Sequence, residues 1–588
     1  MKVSIFKTKK MKYLSNYFIY SVLTIVITIL CYSNIGTVGY YLDDYSSIVN
    51  NPAIAPPTDL ATIWSFSTMR FLAYSLLSFE RGILFEPSFF HFVGLSIHIV
   101  CSLIIGLIIV QFLQLLDKDK GETELSISYK SYFFTSSLLF AVLPQNSQTV
   151  VYIVQQTTSL VSLFYLLTIS FYLFSRASKN SRASKVYLFF SLLFFVGALF
   201  TKQNAFTLPF AILLIEWLFF GKWLKHLTLS YIFFGVIGAG YIFYLSNMDI
   251  SNFLGKLDDL SRETSDINRL DYFRSQVGII FHYITQFIYP NSLRLEYDWD
   301  VVRDWNIATV LFTCFHLVIV ILAIIYRKKN TLLAFGVLFY YLAHSIESSF
   351  LPIKDIVFEH RTYLPNVGLV IACIALLNLF VKDKLRYLFL LFPVLIAGIT
   401  VTKLRVDEWG NKEKFYLNEI KHSPKNARAY TALAAAFQDN GNCAKAIGYY
   451  SHAIALYRLS PKHDLGLQPE TLQNYIVCLR QLRIDEKAEF FEQHLLGQVN
   501  EPIRRSQILL QRGIFFMKSE QFLKAEEPLT EAIKLNSKSF PIAINLVVTK
   551  VKLNKLKHAE PLLKHALALK PNDPLATDLL QQIQQLKN

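Results

Sequence analysis

Residues 14–45 read LSNYFIYSVLTIVITILCYSNIGTVGYYLDDY, an apolar run that breaks into Tyr40-Tyr41-Leu42-Asp43-Asp44-Tyr45. The apolar part is about 20 residues long, enough to cross a hydrocarbon core as a helix. Lys7, Lys9, Lys10 and Lys12 precede it and should hold the N-terminus in the cytoplasm. No small-residue cleavage site follows, so the run reads as an anchor and not as a removed signal peptide. Two adjacent carboxylates then stand just outside the bilayer, where ionised groups are costly to place.

The rest of the composition agrees with a membrane setting. The chain of 588 residues is 53% hydrophobic, with 49 Phe and 32 Tyr, and its mean hydropathy is +0.35. A soluble protein of this length has no need of such an apolar, aromatic excess, so most of the chain belongs in a bilayer. The formal net charge of +15 is no nucleic-acid signal here, because Lys and Arg in cytoplasmic loops account for much of it. Cys31, Cys101, Cys314 and Cys373 fall in apolar spans and there is no CxxC pair, so neither a zinc site nor a disulfide framework is supported. Cys443 and Cys478 lie in the polar part of the chain, where a single bridge between them is open.

Further spans are expected near 89–115, 131–144, 149–175, 186–201, 205–220, 227–246, 306–326, 331–350, 363–381 and 387–402, about eleven crossings in all. Alternate threading puts Arg176, Lys179, Arg182 and Lys185 inside, and later Arg327, Lys328, Lys329, Lys382, Lys384 and Arg386. Residues 276–289 are apolar but short and end at Pro290. A crossing there would put Arg327, Lys328 and Lys329 outside, so the segment reads as a re-entrant or interfacial helix in a long exoplasmic loop, 247–305. The odd count leaves everything after residue 402 on the exoplasmic side. The expected fold is all-α: a polytopic membrane domain, 1–402, followed by a helical-repeat domain, 403–588.

That tail is polar, helical and repetitive. Small residues recur seven apart as Ala446/Ala453, Ala525/Ala532 and Ala559/Ala566, and the last two pairs are offset by 559 − 525 = 34, the tetratricopeptide period. Tyr430, Leu433, Phe437, Ala446, Tyr450 and Ala453 mark one repeat; Gly513, Phe516, Ala525 and Ala532 mark another; Leu546, Ala559, Ala566 and Pro571 mark a third. A degenerate repeat surrounds Ala488, and 579–586 reads as a capping helix. Stacked repeats of this kind form a concave surface suited to peptides.

At the outer membrane face the threading gathers Asp43 and Asp44; Asn50-Asn51-Pro52; Arg70; Gln145, Asn146 and Gln148; Thr201-Lys202-Gln203-Asn204; and Glu359-His360-Arg361. Carboxylates beside a lysine and arginines suit the movement of a sugar from a polyprenyl phosphate to a hydroxyl. A carboxylate serves as base toward the acceptor hydroxyl. The departing phosphate is already a stable anion, so it needs cationic stabilisation and not a general acid. No cofactor is required; a divalent cation is compatible with the chemistry but unsupported by the motifs.

These residues resemble the membrane glycosyltransferases of the GT-C class, most closely the transmembrane, tetratricopeptide-containing O-mannosyltransferases and their bacterial relatives. Asp43-Asp44-Tyr45-Ser46-Ser47-Ile48-Val49-Asn50-Asn51-Pro52 is similar to the acidic first-loop motif. Arg70 matches the Arg of an Arg-Pro-Leu element, with Phe71 in place of the proline, and His91 and His98 fit a His-x6-His pattern. Residues 148–155 resemble the second-loop motif and 201–209 a Thr-Lys-Glu-x-Ala-x-x-Leu-Pro element. Glu359-His360-Arg361-Thr362-Tyr363-Leu364-Pro365 matches a Glu-His-Arg-x-Tyr-Leu-Pro signature. The resemblance implies an inverting enzyme that moves a mannose-like sugar from a lipid-linked polyprenyl-phosphate donor to a Ser/Thr hydroxyl of a protein recruited by the repeats. It implies catalytic roles for Asp43 and Asp44, with Asp44 expected to be the less buried. Arg361, His360 and Lys202 would meet the donor phosphate; Glu359, Arg70, Gln148 and His91 would support them. Leu143, Gln156 and Gln203 stand where relatives usually have His, Arg and Glu, and Gln148 is neutral where the animal enzymes carry Glu, so a second acidic loop is missing and any two-carboxylate metal site is weakened.

Plainer readings stand beside these. Asp43-Asp44 fits a solvated loop or helix cap, Glu359-His360-Arg361 an ion-pair network, and Lys202 a snorkelling lysine. His91 and His98, seven apart on one helical face, suit packing or hydrogen bonding better than metal ligation. Rival functions are transfer to a lipid or polysaccharide, and a non-enzymatic membrane scaffold assembling an envelope complex. A bacterial plasma membrane, with a cytoplasmic N-terminus and periplasmic repeats, is the expected location.

Overall fold

The computed structural model describes residues 2–120, 128–221, 264, 266–381, 383–459 and 469–587, and every regular element within them is a helix. The chain divides into two units, Met1–Pro424 and Lys425–Asn588.

Among the described residues of the first unit seven helical stretches are long and apolar enough to cross a membrane: Tyr17–Thr37, Pro87–Asp117, Ile153–Ala177, Ser181–Leu199, Gln203–Phe220, Ile307–Ile325 and Phe389–Trp409. Each coincides with an expected span. Three other expected spans are shorter helices: Tyr129–Ala141 of 13 residues, Thr331–His344 of 14 and Pro365–Phe380 of 16. The span expected at 227–246 lies outside the described residues. Two of the long helices are central, with 67% of the Pro87–Asp117 window and 72% of the Ile153–Ala177 window buried, whereas only 6% of Ile307–Ile325 is covered by protein. Such an all-round apolar exterior is stable only against lipid.

Without a hydrophobic drive between helices in lipid, close packing depends on small residues. Thr331–His344 and Pro365–Phe380 meet in this way: a Cβ on Gly336 would lie 2.6 Å from the Ala372 nitrogen, and one on Gly368 would lie 2.5 Å from the Gly336 oxygen. The segment expected to be re-entrant or interfacial is the helix Arg269–Ile288. It is not among the seven, and it packs Tyr272, Ile279 and Tyr283 against Ile356 and Val357.

The helix Lys384–Trp409 continues past residue 402, and a further helix, Lys412–His422, still belongs to the first unit. The Glu419 carboxylate, fully enclosed, accepts the Leu295 N–H at 3.0 Å and lies 3.5 Å from the Arg405 guanidinium, binding these helices to the 291–299 loop.

In the second unit helices pair in sequence: Ala427–Asp439 with Cys443–Leu459, Pro469–Gln481 with Asp485–Gln498, Pro502–Lys518 with Phe522–Leu535, and Phe540–Lys552 with Leu556–Leu569. Pro574–Lys587 follows as the expected cap. Ala446, Ala453, Ala488, Ala525, Ala532, Ala559 and Ala566 are all fully buried, as the repeat spacing requires. Cys443 and Cys478 form a disulfide. The fold is therefore membrane helices followed by a tetratricopeptide solenoid.

Candidate functional site

The acidic loop is built as a tight turn. The Asp44 N–H donates to the Tyr41 carbonyl at 2.8 Å, and the Tyr41 N–H donates back to Asp44 Oδ2 at 3.0 Å. Between them Leu42 takes φ 30°, a left-handed conformation that a branched residue holds only under constraint. The turn sends neighbouring carboxylates opposite ways. Asp43 is exposed, whereas Asp44 is completely buried, with Oδ1 accepting the Val154 N–H at 2.8 Å. The expected order of burial is thus reversed, because the second loop supplies a backbone donor that draws Asp44 inward. Burial pushes the Asp44 carboxyl up to about 8, against the opposing pull of its two backbone N–H partners.

The loop is also fastened at its sides. Arg81 donates from Nη1 to the carbonyls of Ile48 at 2.6 Å and Asn51 at 3.0 Å. The Tyr41 ring packs on Trp409 and Phe415 at centroid distances of 4.8 and 5.1 Å, and its hydroxyl donates to the Trp409 carbonyl. Lys412 Nζ reaches the Tyr45 hydroxyl at 3.1 Å. The Asp43 N–H donates to the Tyr152 hydroxyl at 2.9 Å, so the exposed carboxylate stands on a fixed backbone.

A second cluster gathers around Lys202. Lys202 Nζ makes a 2.8 Å ion pair with Glu347 and donates to Thr158 Oγ1 at 2.9 Å. Asn204 donates to the other Glu347 oxygen, also at 2.9 Å. Burial works against the ionised form of Glu347, but Lys202 and Arg361 outweigh it and hold the carboxyl down at about 2. Burial lowers the Lys202 ammonium, and the charges of Arg70 and Arg361 press the same way against Glu347. Arg70 is brought to this cluster by the bond from the Leu72 N–H to the Phe200 carbonyl, 2.9 Å. Half-buried, its guanidinium has no hydrogen-bond or ion-pair partner among the described residues. Arg361 is buried and donates from Nη1 to the Ile356 carbonyl at 3.1 Å and to the Tyr272 hydroxyl at 3.5 Å, and from Nη2 to the Asp355 carbonyl.

The remaining predicted residues knit this region together. Gln148 Oε1 accepts the His360 N–H at 2.7 Å, and Gln148 Nε2 donates to the Leu295 carbonyl at 3.0 Å. Glu359 accepts from the Arg294 N–H and from the Tyr297 hydroxyl at 2.6 Å; burial raises it to about 7, against the Arg405 charge. His360 is held neutral by burial and by the nearby Lys202 charge. His91 Nε2–H donates to the Val38 carbonyl at 3.1 Å, holding the exit of the first span. His98 Nε2–H donates to the Ala141 carbonyl at 3.0 Å, which leaves Nδ1 to accept from the Tyr363 hydroxyl at 2.7 Å. Both histidines are thus packing residues. Among the described residues no group of three His, Cys, Asp or Glu side chains is placed to hold a metal ion.

Asp43, Asp44 and Lys202 meet one short segment, through Tyr152, Val154 and Thr158 respectively. That segment is a 3-10 turn leading into the helix Gln156–Ala177. At helical rises, residues 152 and 158 lie about 10 Å apart along it. An exposed carboxylate and a cationic cluster are therefore held at opposite ends of a short, rigid spacer.

Over 483 residues the chain is 23% identical to protein O-mannosyl-transferase TMTC4 of Homo sapiens, covering 72% of this chain and 64% of that protein. This chain resembles the protein O-mannosyl-transferases. It is also 22% identical over 448 residues to protein O-mannosyl-transferase F38B6.6 of Caenorhabditis elegans, covering 72% of this chain and 60% of that one. The match thus spans less than two thirds of the length of either O-mannosyl-transferase. No protein-family profile matches the chain. Among solved structures, the tetratricopeptide protein YrrB aligns with 31% of this chain and 89% of its own, at 15% identity and a TM-score of 0.25.

Sequence reasoning missed Glu347. It lies beyond the end of the helix Thr331–His344, inside the stretch 331–350 expected to be a span. A lone carboxylate in a candidate span was the available signal, since such groups are costly there unless paired.

Proposed function

We propose that this chain is an inverting membrane glycosyltransferase moving a mannose-like sugar from a polyprenyl-phosphate donor to a Ser/Thr hydroxyl of a protein, on the exoplasmic face. The observation that carries the reading is the exposed Asp43 carboxylate, fixed on a locked loop and separated by one short spacer from the Arg70, Lys202 and Arg361 charges. Asp43 is the base, and it takes the acceptor proton as the hydroxyl oxygen attacks the anomeric carbon from the face opposite the phosphate. The bond from that carbon to the phosphate oxygen breaks with its electron pair left on oxygen, so the departing phosphate gains a negative charge. Lys202 and Arg70 stabilise that charge through their remaining donors, and Arg361 does so through its field. Asp44 acts through position, since both of its oxygens are committed to backbone N–H groups.

The repeats recruit the protein acceptor. Their disulfide suits an oxidising, exoplasmic compartment, because cytosolic thiols are kept reduced. The test is transfer by the purified chain from defined polyprenyl-phosphate sugars to an acceptor protein, with the anomeric configuration of the product read by NMR. An inverted mannoside is expected. Absence of both transfer and donor hydrolysis with every sugar tried would overturn the proposal in favour of a scaffold.

A further inference from the structure

Lys202 is a long, flexible side chain brought almost entirely out of water, at 7% exposure. A buried amine readily gives up its proton. Its neighbours make matters worse: Arg70 and Arg361 are positive, and His360 is neutral. Against them stands the Glu347 carboxylate, 2.8 Å away and itself 6% exposed, while the Asp355 carboxylate acts on Arg361. Glu347 is fixed in turn by the Asn204 amide at 2.9 Å and by the Tyr272 hydroxyl, which donates to the Glu347 carbonyl at 2.6 Å. His344 and Tyr283 are further titratable groups within reach of the Glu347 charge.

We infer that Glu347 is the positioning residue of the phosphate seat, fixing the Lys202 ammonium in place and in its charged form. This rests on reading the cluster as the seat of a polyprenyl-phosphate donor. An ammonium has three protons to donate. Here one goes to Glu347 and one to Thr158, which leaves the third for an incoming phosphate oxygen. Arg70, Lys202 and Arg361 against Glu347 and the Asp355 carboxylate that acts on Arg361 leave a net positive charge, 3 − 2 = 1. A net positive cluster attracts the doubly charged departing phosphate more strongly than the singly charged donor, so it favours the state in which charge has developed.

The experiment measures binding of farnesyl methyl phosphate, a prenyl phosphodiester that does not titrate near neutrality, to the full chain in detergent between about pH 6 and about pH 9. The natural protein should bind with an affinity nearly independent of pH. Glu347→Gln should bind comparably near pH 6 and about tenfold or more weaker near pH 9, the usual worth of a charge-assisted hydrogen bond, because the uncompensated amine loses its proton. Adding Lys202→Arg to Glu347→Gln should restore pH independence, since a guanidinium keeps its charge. A purely structural role for Glu347 would instead weaken binding equally at every pH. A flat profile for Glu347→Gln overturns the inference while leaving the donor reading intact, whereas failure of the natural protein to bind the probe overturns the donor reading itself. If Glu347→Gln does not fold, Lys202→Met decides: it should bind at every pH about as weakly as expected for Glu347→Gln at high pH, and undiminished binding sinks the inference.

Discussion

Asp44 reaches across 110 residues of sequence to the Val154 N–H, which it accepts at 2.8 Å. The bond joins the first loop to the second and commits one carboxylate of the acidic pair to architecture. It also leaves the other, Asp43, facing outward on a backbone that cannot drift.

The two aspartates should therefore separate cleanly on mutation. Asp43→Asn is expected to lose about 10²- to 10⁴-fold in transfer rate, the range for removal of a general base. Its thermal unfolding midpoint should stay that of the natural protein. Asp44→Asn offers one acceptor and one donor where two N–H groups point inward, and should lose about 1–3 kcal/mol of stability near pH 6. Equal effects of the two substitutions on rate and on melting would refute the assignment.

The cost of Asp44→Asn should also depend on pH, with a definite sign. The folded carboxyl titrates at about 8 against an ordinary value of 3.8. Between those values the native state holds a proton that the unfolded chain has released, so stability from this group is full below about pH 4 and is lost as pH rises through about 8. Asparagine carries no such term. The melting difference between the two proteins should shrink steadily from pH 5 to pH 8; a difference that grows would contradict the burial of Asp44.

The end of the membrane unit can be tested by cutting the chain. Truncation after Pro424 removes only the second unit and should leave a folded protein that still binds a prenyl phosphodiester. Truncation after Arg405 removes Trp409, Lys412 and Glu419, which support Tyr41, Tyr45 and the 291–299 loop. That shorter chain should lose probe binding or fail to fold. Equal behaviour of the two truncations would show that these contacts are dispensable.

Within the repeats, Cys443→Ser should lower stability by about 4 kcal/mol under non-reducing conditions, the loop-closure value for a bridge spanning 35 residues. Adding Cys478→Ser should cost little more, and reduction of the natural protein should reproduce the loss. Melting of the reduced and oxidised forms at the same temperature would rule out a stabilising bridge.

Much of this architecture is written in local sequence. Apolar runs near 20 residues mark the long spans, and alanines seven apart mark the repeats, because each signal depends on residues close in the chain. The short helices Tyr129–Ala141 and Thr331–His344 end sooner than their apolar runs suggest, since chain composition does not show where a polar loop will turn inward. The polar residues of these loops are legible in the sequence, but their contacts are not. Which aspartate is buried depends on a backbone N–H supplied by another loop, and Lys202 reads as a snorkelling lysine until Glu347 is seen beside it. The sequence does not show that Arg361 also donates to two carbonyls of the loop before it.

The Tyr41 hydroxyl bonds to the Trp409 carbonyl, 368 residues later. Chains emerge from the ribosome in order, so the floor of the acidic loop is among the last parts of the membrane unit to be made. Until then Asp43 sits on an unfinished turn. The acidic loop is thus one of the last features of the membrane unit to reach its final form, although its own residues are among the first to be made.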